Sequence, residues 1–194
     1  MTAEPQRCPW CGTDPLYVHY HDTVWGRPEY GDLALFEKLC LDGQQAGLSW
    51  LTILRKQDNY RAAYAGFDPE RIVQFTESDI EQLLQNPGIV RNRLKVRSII
   101  KNAQGYLALR EQGESFSSFL WQFVDGRPIQ NHWQRFEQVP TATPKSEAMS
   151  KALKKAGFTF VGPTIVYAFM QATGMVNDHL VYCPAHEECK ALAG

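Results

Sequence analysis

The chain has 194 residues, of which 44% are hydrophobic, and a net charge of −1 from 20 basic and 21 acidic residues. This length suits one well-filled globular unit, which we expect to span residues 1–194. No apolar run is long enough for a membrane span, and the N-terminus lacks the pattern of a secretory signal. We therefore expect a cytoplasmic protein with no membrane partner, in which any binding of nucleic acid depends on local positive charge.

Helical patterns dominate the chain, so the sequence predicts a mainly α-helical fold. Apolar residues recur at helical spacing through residues 33–40 and 48–54. Asp68 followed by proline, and Thr76 before an apolar run, are typical starts of helices. Further helices are predicted over residues 115–124, 145–156 and 162–173. No alternating pattern predicts a strand, and residues 126–143 form the longest predicted connection.

Residues 86–88, Asn-Pro-Gly, interrupt a helical pattern, and a second helix is predicted through residues 89–110. The first turn of a helix after such a break offers free backbone N–H groups to a phosphate. This helix holds six basic residues and no acidic one, and Arg91, Arg93 and Lys95 would add mobile charge beside the turn. The alternative interpretation is an ordinary solvated helix face. The combination favours binding to the backbone of DNA or RNA.

Cysteines and histidines cluster at both ends of the chain. They are Cys8, Cys11, His19 and His21 at one end, and His179, Cys183, His186 and Cys189 at the other. A tetrahedral zinc site with two ligands from each end would join the termini. The alternative is that they are ordinary core cysteines and surface histidines, and the spacing does not choose four ligands from eight. A redox role for the first two cysteines is disfavoured, because no thioredoxin-like alternation of strands and helices surrounds them.

Aromatic residues concentrate in the first fifty residues of the chain, near several polar ones. They are Trp10, Tyr17, Tyr20, Trp25 and Trp50, and the polar neighbours include Asp22, Asp42, Gln44 and Gln45. Aromatic side chains of a small helical protein usually belong to its core. Ring faces beside carboxylates also suit a flat ligand that is cationic or forms hydrogen bonds, such as a nucleobase.

Five segments resemble the 3-methyladenine DNA glycosylase I family, in the same order along nearly the whole chain. They are RCPWCGTDPLYVHYHDTVWGRP, CLDGQQAGLSWLTIL, NPGIVRNRLKVRSIIKNA, SKALKKAGFTFVGPTIVYAFMQATGMVNDH and HLVYC. The resemblance implies an all-α helix–hairpin–helix glycosylase fold whose DNA-binding hairpin, residues 83–103, turns at Gly88. It also implies one structural zinc that joins the N- and C-termini through Cys8, His21, His179 and Cys183. Cys11, His186 and Cys189 are then not ligands.

The implied reaction is hydrolysis of the N-glycosidic bond of 3-methyladenine in alkylated duplex DNA, the first step of base-excision repair. Methylation at N3 makes the base cationic and a good leaving group, and flipping it out of the duplex costs a few kcal/mol. The residues that match the base pocket are Trp10, Tyr20, Trp25, Trp50 and the carboxylate Asp42, to which we assign the catalytic role. Gly47 and Leu48 match the loop that fills the gap left by the flipped base. One lesion in a duplex suits a monomer.

Two acidic residues differ from what related glycosylases have at these places. Asp42 stands where the family has glutamate, which keeps the charge but shortens the reach, so a bridging water or a narrower pocket is expected. The family lacks the activating aspartate of other helix–hairpin–helix glycosylases. Here Asp178 precedes the ligand His179, and we interpret it as a group that supports this histidine or caps a helix.

Two other functions stay open at this point. One is a DNA-binding module joined by zinc, without catalysis, in which the aromatic residues are only core. The other is a hydrolase whose metal activates water, which a set of four protein ligands disfavours because a catalytic zinc keeps one position open.

Overall fold

A computed structural model of the protein describes residues 5–194. Within this range the chain forms eleven α-helices. They are α1 (Pro15–Thr23), α2 (Asp32–Gln44), α3 (Trp50–Leu54), α4 (Gln57–Ala63), α5 (Pro69–Ile72), α6 (Glu77–Leu83), α7 (Arg93–Glu111), α8 (Phe116–Trp121), α9 (Pro144–Lys155), α10 (Pro163–Ala172) and α11 (Pro184–Leu192). Single 3₁₀ turns lie at Pro9–Cys11, Ala65–Phe67, Gln122–Val124 and Phe136–Gln138. The prediction of a mainly α-helical protein is confirmed.

Residues 1–4, which contribute to the predicted unit and to the expectation of no secretory signal, lie outside the described residues. Across the part of the chain that is described, no helix has the length and apolar character needed to cross a membrane.

The predicted helix starts have the expected caps. The Asp68 side chain accepts a hydrogen bond from the backbone N–H of Glu70 at the start of α5. At the start of α6, Thr76 and Asp79 each accept a hydrogen bond from the other's backbone N–H, which is a capping box. These signals are local in sequence, which is why they predict correctly.

The main core lies around α2, which packs against α7, α8 and α10. Leu35, Phe36 and Leu39 of α2 are fully buried in it, together with Ile99 of α7 and Phe169 of α10. Because α2 is packed on several sides, it fixes the position of any polar side chain at its C-terminal end.

The second predicted helix begins later than expected. It was predicted from residue 89, but α7 begins at Arg93, because the side chain of Asn92 caps it by accepting from the N–H of Lys95. The preceding turn is held by Tyr60, whose hydroxyl accepts from Val90 N at 3.0 Å and donates to Gln44 Oε1 at 3.1 Å. The turn between α6 and α7 is therefore tied to the end of α2.

The structure also contains two strands that the sequence did not predict. Strand β1 (Ile129–Gln130) pairs in parallel with β2 (Val176–Asn177), with Ile129 opposite Val176. Each strand has two residues, which is too short to show an alternating pattern. The pair ties the long connection of residues 126–143 to the segment that carries His179.

The two ends of the chain meet in a small second core. Cys8, Leu180, Cys183 and Ala185 are buried together there. The backbone N–H of Leu180 donates to Cys8 Sγ at 3.3 Å. The N-terminal segment is thus anchored directly to the segment between β2 and α11.

Candidate functional site

Cys8, His21, His179 and Cys183 lie together where the two ends of the chain meet. Their potential ligand atoms are all within 4.8 Å of one another, and all four side chains are buried. Cys8 Sγ lies 3.6 Å from His179 Nδ1, and Cys183 Sγ lies 3.6 Å from His21 Nε2. Sulfur and nitrogen ligands on a tetrahedral zinc are about 3.6 Å apart at the usual bond lengths. The four residues are close enough to hold a metal ion.

The outer nitrogens of both imidazoles already have partners. His21 Nδ1 lies 2.7 Å from Asp22 Oδ1, and His179 Nε2 lies 2.9 Å from the carbonyl oxygen of Trp25. A histidine that donates from its outer nitrogen presents the lone pair of the inner one, as a metal ligand must. The neighbouring Cys8 thiol, and then the two histidines, lower the pKa of Cys183. The donor set therefore fits a metal that prefers two thiolates and two neutral imidazoles.

Gly26 makes room for this arrangement. Its φ of +84° lies in the left-handed region, and a Cβ there would stand 2.9 Å from the ring of His179. Glycine is therefore needed for both the backbone conformation and the close approach.

The other cysteines and histidines lie outside the set. Cys11 is buried, but its thiol donates to the carbonyl oxygen of Cys8 at 3.2 Å. His186 Nε2 lies 2.8 Å from the carbonyl oxygen of Asn131. Within residues 5–194 neither these two nor Cys189 belongs to the possible metal cluster, in agreement with the ligand set that the resemblance implied.

A cavity of about 550 Å³ opens beside this cluster, and it is lined by all the residues predicted for a base pocket. They are Trp10, Tyr20, Trp25, Asp42 and Trp50. The ring centroids of Trp10 and Trp25 are 4.9 Å apart, and those of Tyr20 and Trp50 are 5.7 Å apart. The aromatic residues are therefore not scattered core residues, because together they form one wall of a cavity.

The cavity is coupled to the metal-ligand cluster through its aromatic residues. The ring of Trp10 lies 5.2 Å from the ring of His21 in a tilted contact, and Trp25 meets the ring of His179 edge-on at 4.7 Å. Both contacts join a predicted pocket residue to a predicted metal ligand. The position of this wall thus depends on the closure of the chain ends.

Asp42 lies at the C-terminal end of α2 and is only 2% exposed. Burial raises its pKa, and the ammonium of Lys38, 2.6 Å from Oδ1, opposes that shift. Its second oxygen, Oδ2, and the indole nitrogen of Trp50 are buried without a hydrogen-bond partner among the described residues. Both atoms belong to residues that line the cavity.

Lys38 is a charged residue of the cavity that sequence reasoning missed. It lies one helical turn before Asp42 on α2, and its ammonium stands 3.4 Å from the ring centroid of Trp50. The spacing of four residues from Asp42 on a predicted helix was the available signal. Tyr17, Gln45 and the segment 136–141 also contribute to the lining.

Asp178 has a different environment from the one predicted. Its carboxylate accepts hydrogen bonds from four side chains on α10 and on the segment after β1. They are Tyr167, Gln171, Asn131 and Trp133. The ligand histidines are supported instead by Asp22 and by the carbonyl of Trp25. Asp178 therefore links α10 to the segment after β1 on one side of the cavity. The prediction that it supports His179 or caps a helix is wrong.

Gly47 and Leu48 lie in the short loop between α2 and α3. Gly47 has φ +79°, and Leu48 is 40% exposed although it is a large apolar residue. The loop is flanked by Gln45 and Trp50, which both line the cavity. An exposed leucine is thus held beside the cavity.

Lys95 does not carry the mobile charge that was predicted for it. It is 7% exposed, and its ammonium donates to the carbonyl oxygens of Gln44 and Ala46. It therefore fixes the loop that carries Gly47 and Leu48.

The basic run of α7 is also less free than its sequence suggests. Arg93, Arg97 and Arg110 form ion pairs with glutamates of α5 and α6, which are Glu81, Glu77 and Glu70. The run has no acid in sequence, but acids reach it through the tertiary fold. Among the described residues, Arg91 is exposed and forms no ion pair.

The turn before α7 has a partner for its glycine N–H. Gly88 N donates to Asn86 Oδ1 at 2.8 Å. A Cβ at Gly88 would stand 3.0 Å from the side chain of Asn59, so the turn packs closely on α4. These contacts hold the turn against α4, and Tyr60 links it to the end of α2.

Comparisons with known proteins point in one direction. The family model described as Methyladenine glycosylase matches residues 10–186 of the chain. The chain is 52% identical over 178 residues to the DNA-3-methyladenine glycosylase of Haemophilus influenzae, which covers 92% of this chain and 96% of that protein.

The fold is also similar to solved structures. A crystal structure of 3-methyladenine DNA glycosylase I superposes with a TM-score of 0.92 at 55% identity, covering 93% of this chain and all of that one. A second structure, described as the basis of 3-methyladenine recognition by the Staphylococcus aureus enzyme, has a TM-score of 0.90 at 42% identity. It covers 93% of this chain and 96% of that one.

Proposed function

Because the chain belongs to the methyladenine glycosylase family, we propose that it is a monofunctional DNA glycosylase of base-excision repair. Its substrate is alkylated duplex DNA, in which it hydrolyses the N-glycosidic bond of 3-methyladenine. We further propose that residues 1–194 act as one catalytic unit, as a monomer in the cytoplasm. The five cysteines, none of which forms a disulfide, support a reducing compartment.

The observation that carries this function is the cavity between the aromatic residues and Asp42. Its volume of about 550 Å³ lies within the usual range for small-molecule sites. Indole and phenol faces attract a cation, and a buried carboxylate beside them neutralises it. A purine made cationic by methylation has both the flat shape and the charge that this cavity suits.

The loop of Gly47 and Leu48 supports a role in base flipping. A flipped base leaves a gap in the duplex, and an exposed leucine held beside the receiving cavity can fill it. Lys95, bonded to the carbonyls of Gln44 and Ala46, keeps the loop in place. We therefore assign Lys95 an indirect part in DNA binding.

The chemical step needs little help from the protein. A cationic 3-methyladenine leaves as a neutral base, so no acid has to protonate it. Asp42 accepts a hydrogen bond from the base edge through Oδ2 and stabilises positive charge in the site. Asp178 is unsuited to activating water, because four donors occupy its oxygens.

We assign one structural zinc to Cys8, His21, His179 and Cys183. The support is the donor chemistry, since two thiols and two imidazoles with partnered outer nitrogens form a closed set of four. Bound there, zinc would contribute folding energy and no chemistry to the reaction. These four residues hold the ends of the chain together and thereby the Trp10 and Trp25 side of the cavity.

We propose that α6, the following turn and the start of α7 are a helix–hairpin–helix element that binds the DNA backbone. The support is the closely packed turn at Gly88 and the exposed cations beside it, Arg91 and Arg93. Arg93 forms an exposed ion pair with Glu81, and a phosphate can displace Glu81 at a small cost in free energy. Arg91 can bind a phosphate of the DNA backbone without breaking an ion pair first.

The test is release of free bases from DNA treated with a methylating agent, separated by chromatography. The pure protein is expected to release 3-methyladenine and to leave an abasic site. Asp42→Glu, measured in parallel, restores the longer carboxylate and shows whether the shorter reach of Asp42 alters the set of bases released. DNA binding without any base release would instead support the non-catalytic module.

A further inference from the structure

The base cavity already contains a cation of the protein itself. The ammonium of Lys38 lies 2.6 Å from Asp42 Oδ1 and 3.4 Å from the centroid of the Trp50 ring. It also lies 5.9 Å from the ring of Tyr20. One carboxylate and two aromatic faces thus surround one positive charge, as a cation–π site requires.

A cationic purine in this cavity needs these same groups. The face of Trp50 is the surface on which a base would stack, and the ammonium covers it at the distance of direct contact. Asp42 is the buried carboxylate of the cavity that keeps an oxygen without a partner, whereas Asp178 is saturated by four donors. Lysine and base therefore compete for one site.

We propose that Lys38 is a placeholder cation, which occupies the subsite of the cationic base and leaves Trp50 and Asp42 when the base enters. This inference rests on the proposed function, because it takes the cavity as the receiving site for an alkylated base. It assigns to Lys38 a part in setting the affinity for the substrate, which neither the family match nor the predicted pocket residues include.

The placeholder has a physical reason. A buried carboxylate without a partner tends to take up a proton, and burial does raise the pKa of Asp42. The ammonium keeps this carboxylate ionised in the empty cavity. Its flexible four-carbon stem lets the charge swing away, and the side chain is 15% exposed, so the cavity mouth gives it a route to solvent.

Binding of a permanent cation tests the exchange. The probe is the 3,9-dimethyladeninium ion, titrated at about pH 8, above the usual range of carboxyl groups, and followed by tryptophan fluorescence. Lys38→Met in the zinc-loaded protein is expected to bind this ion about tenfold more tightly, because no internal cation has to leave. Lys38→Arg, which keeps a cation, is expected to show no such gain. The exposed Lys151→Met on α9 is the matched control and is expected to bind as the wild type does.

A structure of the wild type with the same ion gives the second readout, and it decides the matter alone if Lys38→Met fails to fold. The ammonium of Lys38 is expected to leave the Trp50 face. Equal or weaker binding by the variant, or an ammonium that keeps both contacts in the complex, overturns the placeholder. Release of 3-methyladenine by the wild type is measured separately. If release occurs without tighter binding by Lys38→Met, only the placeholder fails. If binding tightens without any release, the cation subsite stands and the proposed function fails.

Discussion

The metal-ligand cluster and the base cavity are adjacent and both are buried, but they differ in how their polar atoms are satisfied. In the cluster, the outer nitrogens of both ligand histidines have partners, and the four inner atoms face one another. In the cavity, Asp42 Oδ2 and Trp50 Nε1 have no partner among the described residues. Buried polar atoms are usually paired, and these two belong to residues that line the cavity, so a ligand bound there could supply the missing bonds.

This difference separates two roles that share the same rings. In the cluster every ligand residue has its partners and the residues hold the fold together. In the cavity two polar atoms lack partners, which suits the binding of a substrate. Trp10 and Trp25 contact the ligand histidines on one side and line the cavity on the other. Damage to the cluster should therefore reach the cavity, but damage to the cavity should leave the cluster intact.

The largest expected effect comes from removing one proposed metal ligand with Cys8→Ser. Loss of one thiolate should release the metal, whose binding energy is folding energy, and lower Tm by about 10 °C or more. Metal content by mass spectrometry and thermal unfolding by circular dichroism measure both. Cys11→Ser is the matched control, because this buried cysteine lies three residues away and outside the set. It should keep one zinc, and the ligand assignment is wrong if it loses the metal while Cys8→Ser keeps it.

The next largest effect is expected from a change in the base cavity. Asp42→Asn removes the charge that stabilises a cationic base, and a hydrogen bond to a charged group contributes about 1.5–3 kcal/mol. Single-turnover excision of 3-methyladenine should fall by about 10- to 100-fold. Zinc content should stay near that of the wild type, since the cluster is untouched, whereas Tm should fall somewhat because the ammonium of Lys38 loses its buried partner. Asp58→Asn, at a 96% exposed side chain, should excise normally. Unchanged excision and unchanged base affinity of Asp42→Asn would remove Asp42 from the site.

Local sequence signals and the family resemblance predicted much of this arrangement. The caps of Asp68 and Thr76 depend on residues within one turn, so the helix starts could be read directly. Spacing alone left eight possible metal ligands, and only the family resemblance selected four of them. The folded chain then brings those four together.

The rest depended on contacts between distant segments. Lys95 belongs to a basic run in sequence, but the loop after α2 takes up its ammonium. Arg93 and Arg97 meet glutamates of α6, which no pattern within α7 could reveal. Lys38 was missed because a charged residue on a helix is usually solvated. Strands of two residues are too short for any periodic signal.

A third prediction concerns the exposed loop beside the cavity. Leu48→Ala removes the apolar group that fills the gap in the duplex, so excision from double-stranded DNA should fall by about tenfold. Affinity for the free cationic base should not change, because Leu48 is outside the cavity lining. Excision assays and fluorescence titration separate these two quantities. Leu192→Ala, at a leucine of α11 that is 53% exposed, is the control and should alter neither. Loss of free-base affinity in Leu48→Ala would place this side chain in the cavity instead.

The smallest expected effect separates free from paired cations on the DNA-binding face. Arg91 is exposed and forms no ion pair within the described part of the chain, whereas Arg97 has both outer nitrogens on Glu77. Arg91→Ala should weaken binding to undamaged duplex DNA by a few-fold and reduce the salt dependence of binding by about one charge. Arg97→Ala should have a smaller effect, because its charge is already neutralised in the free protein. Fluorescence anisotropy at several salt concentrations measures both slopes. Equal slopes for the two variants would mean that DNA displaces Glu77, and the ion pairs of α7 would then be exchangeable in the same way as the pair of Lys38 and Asp42.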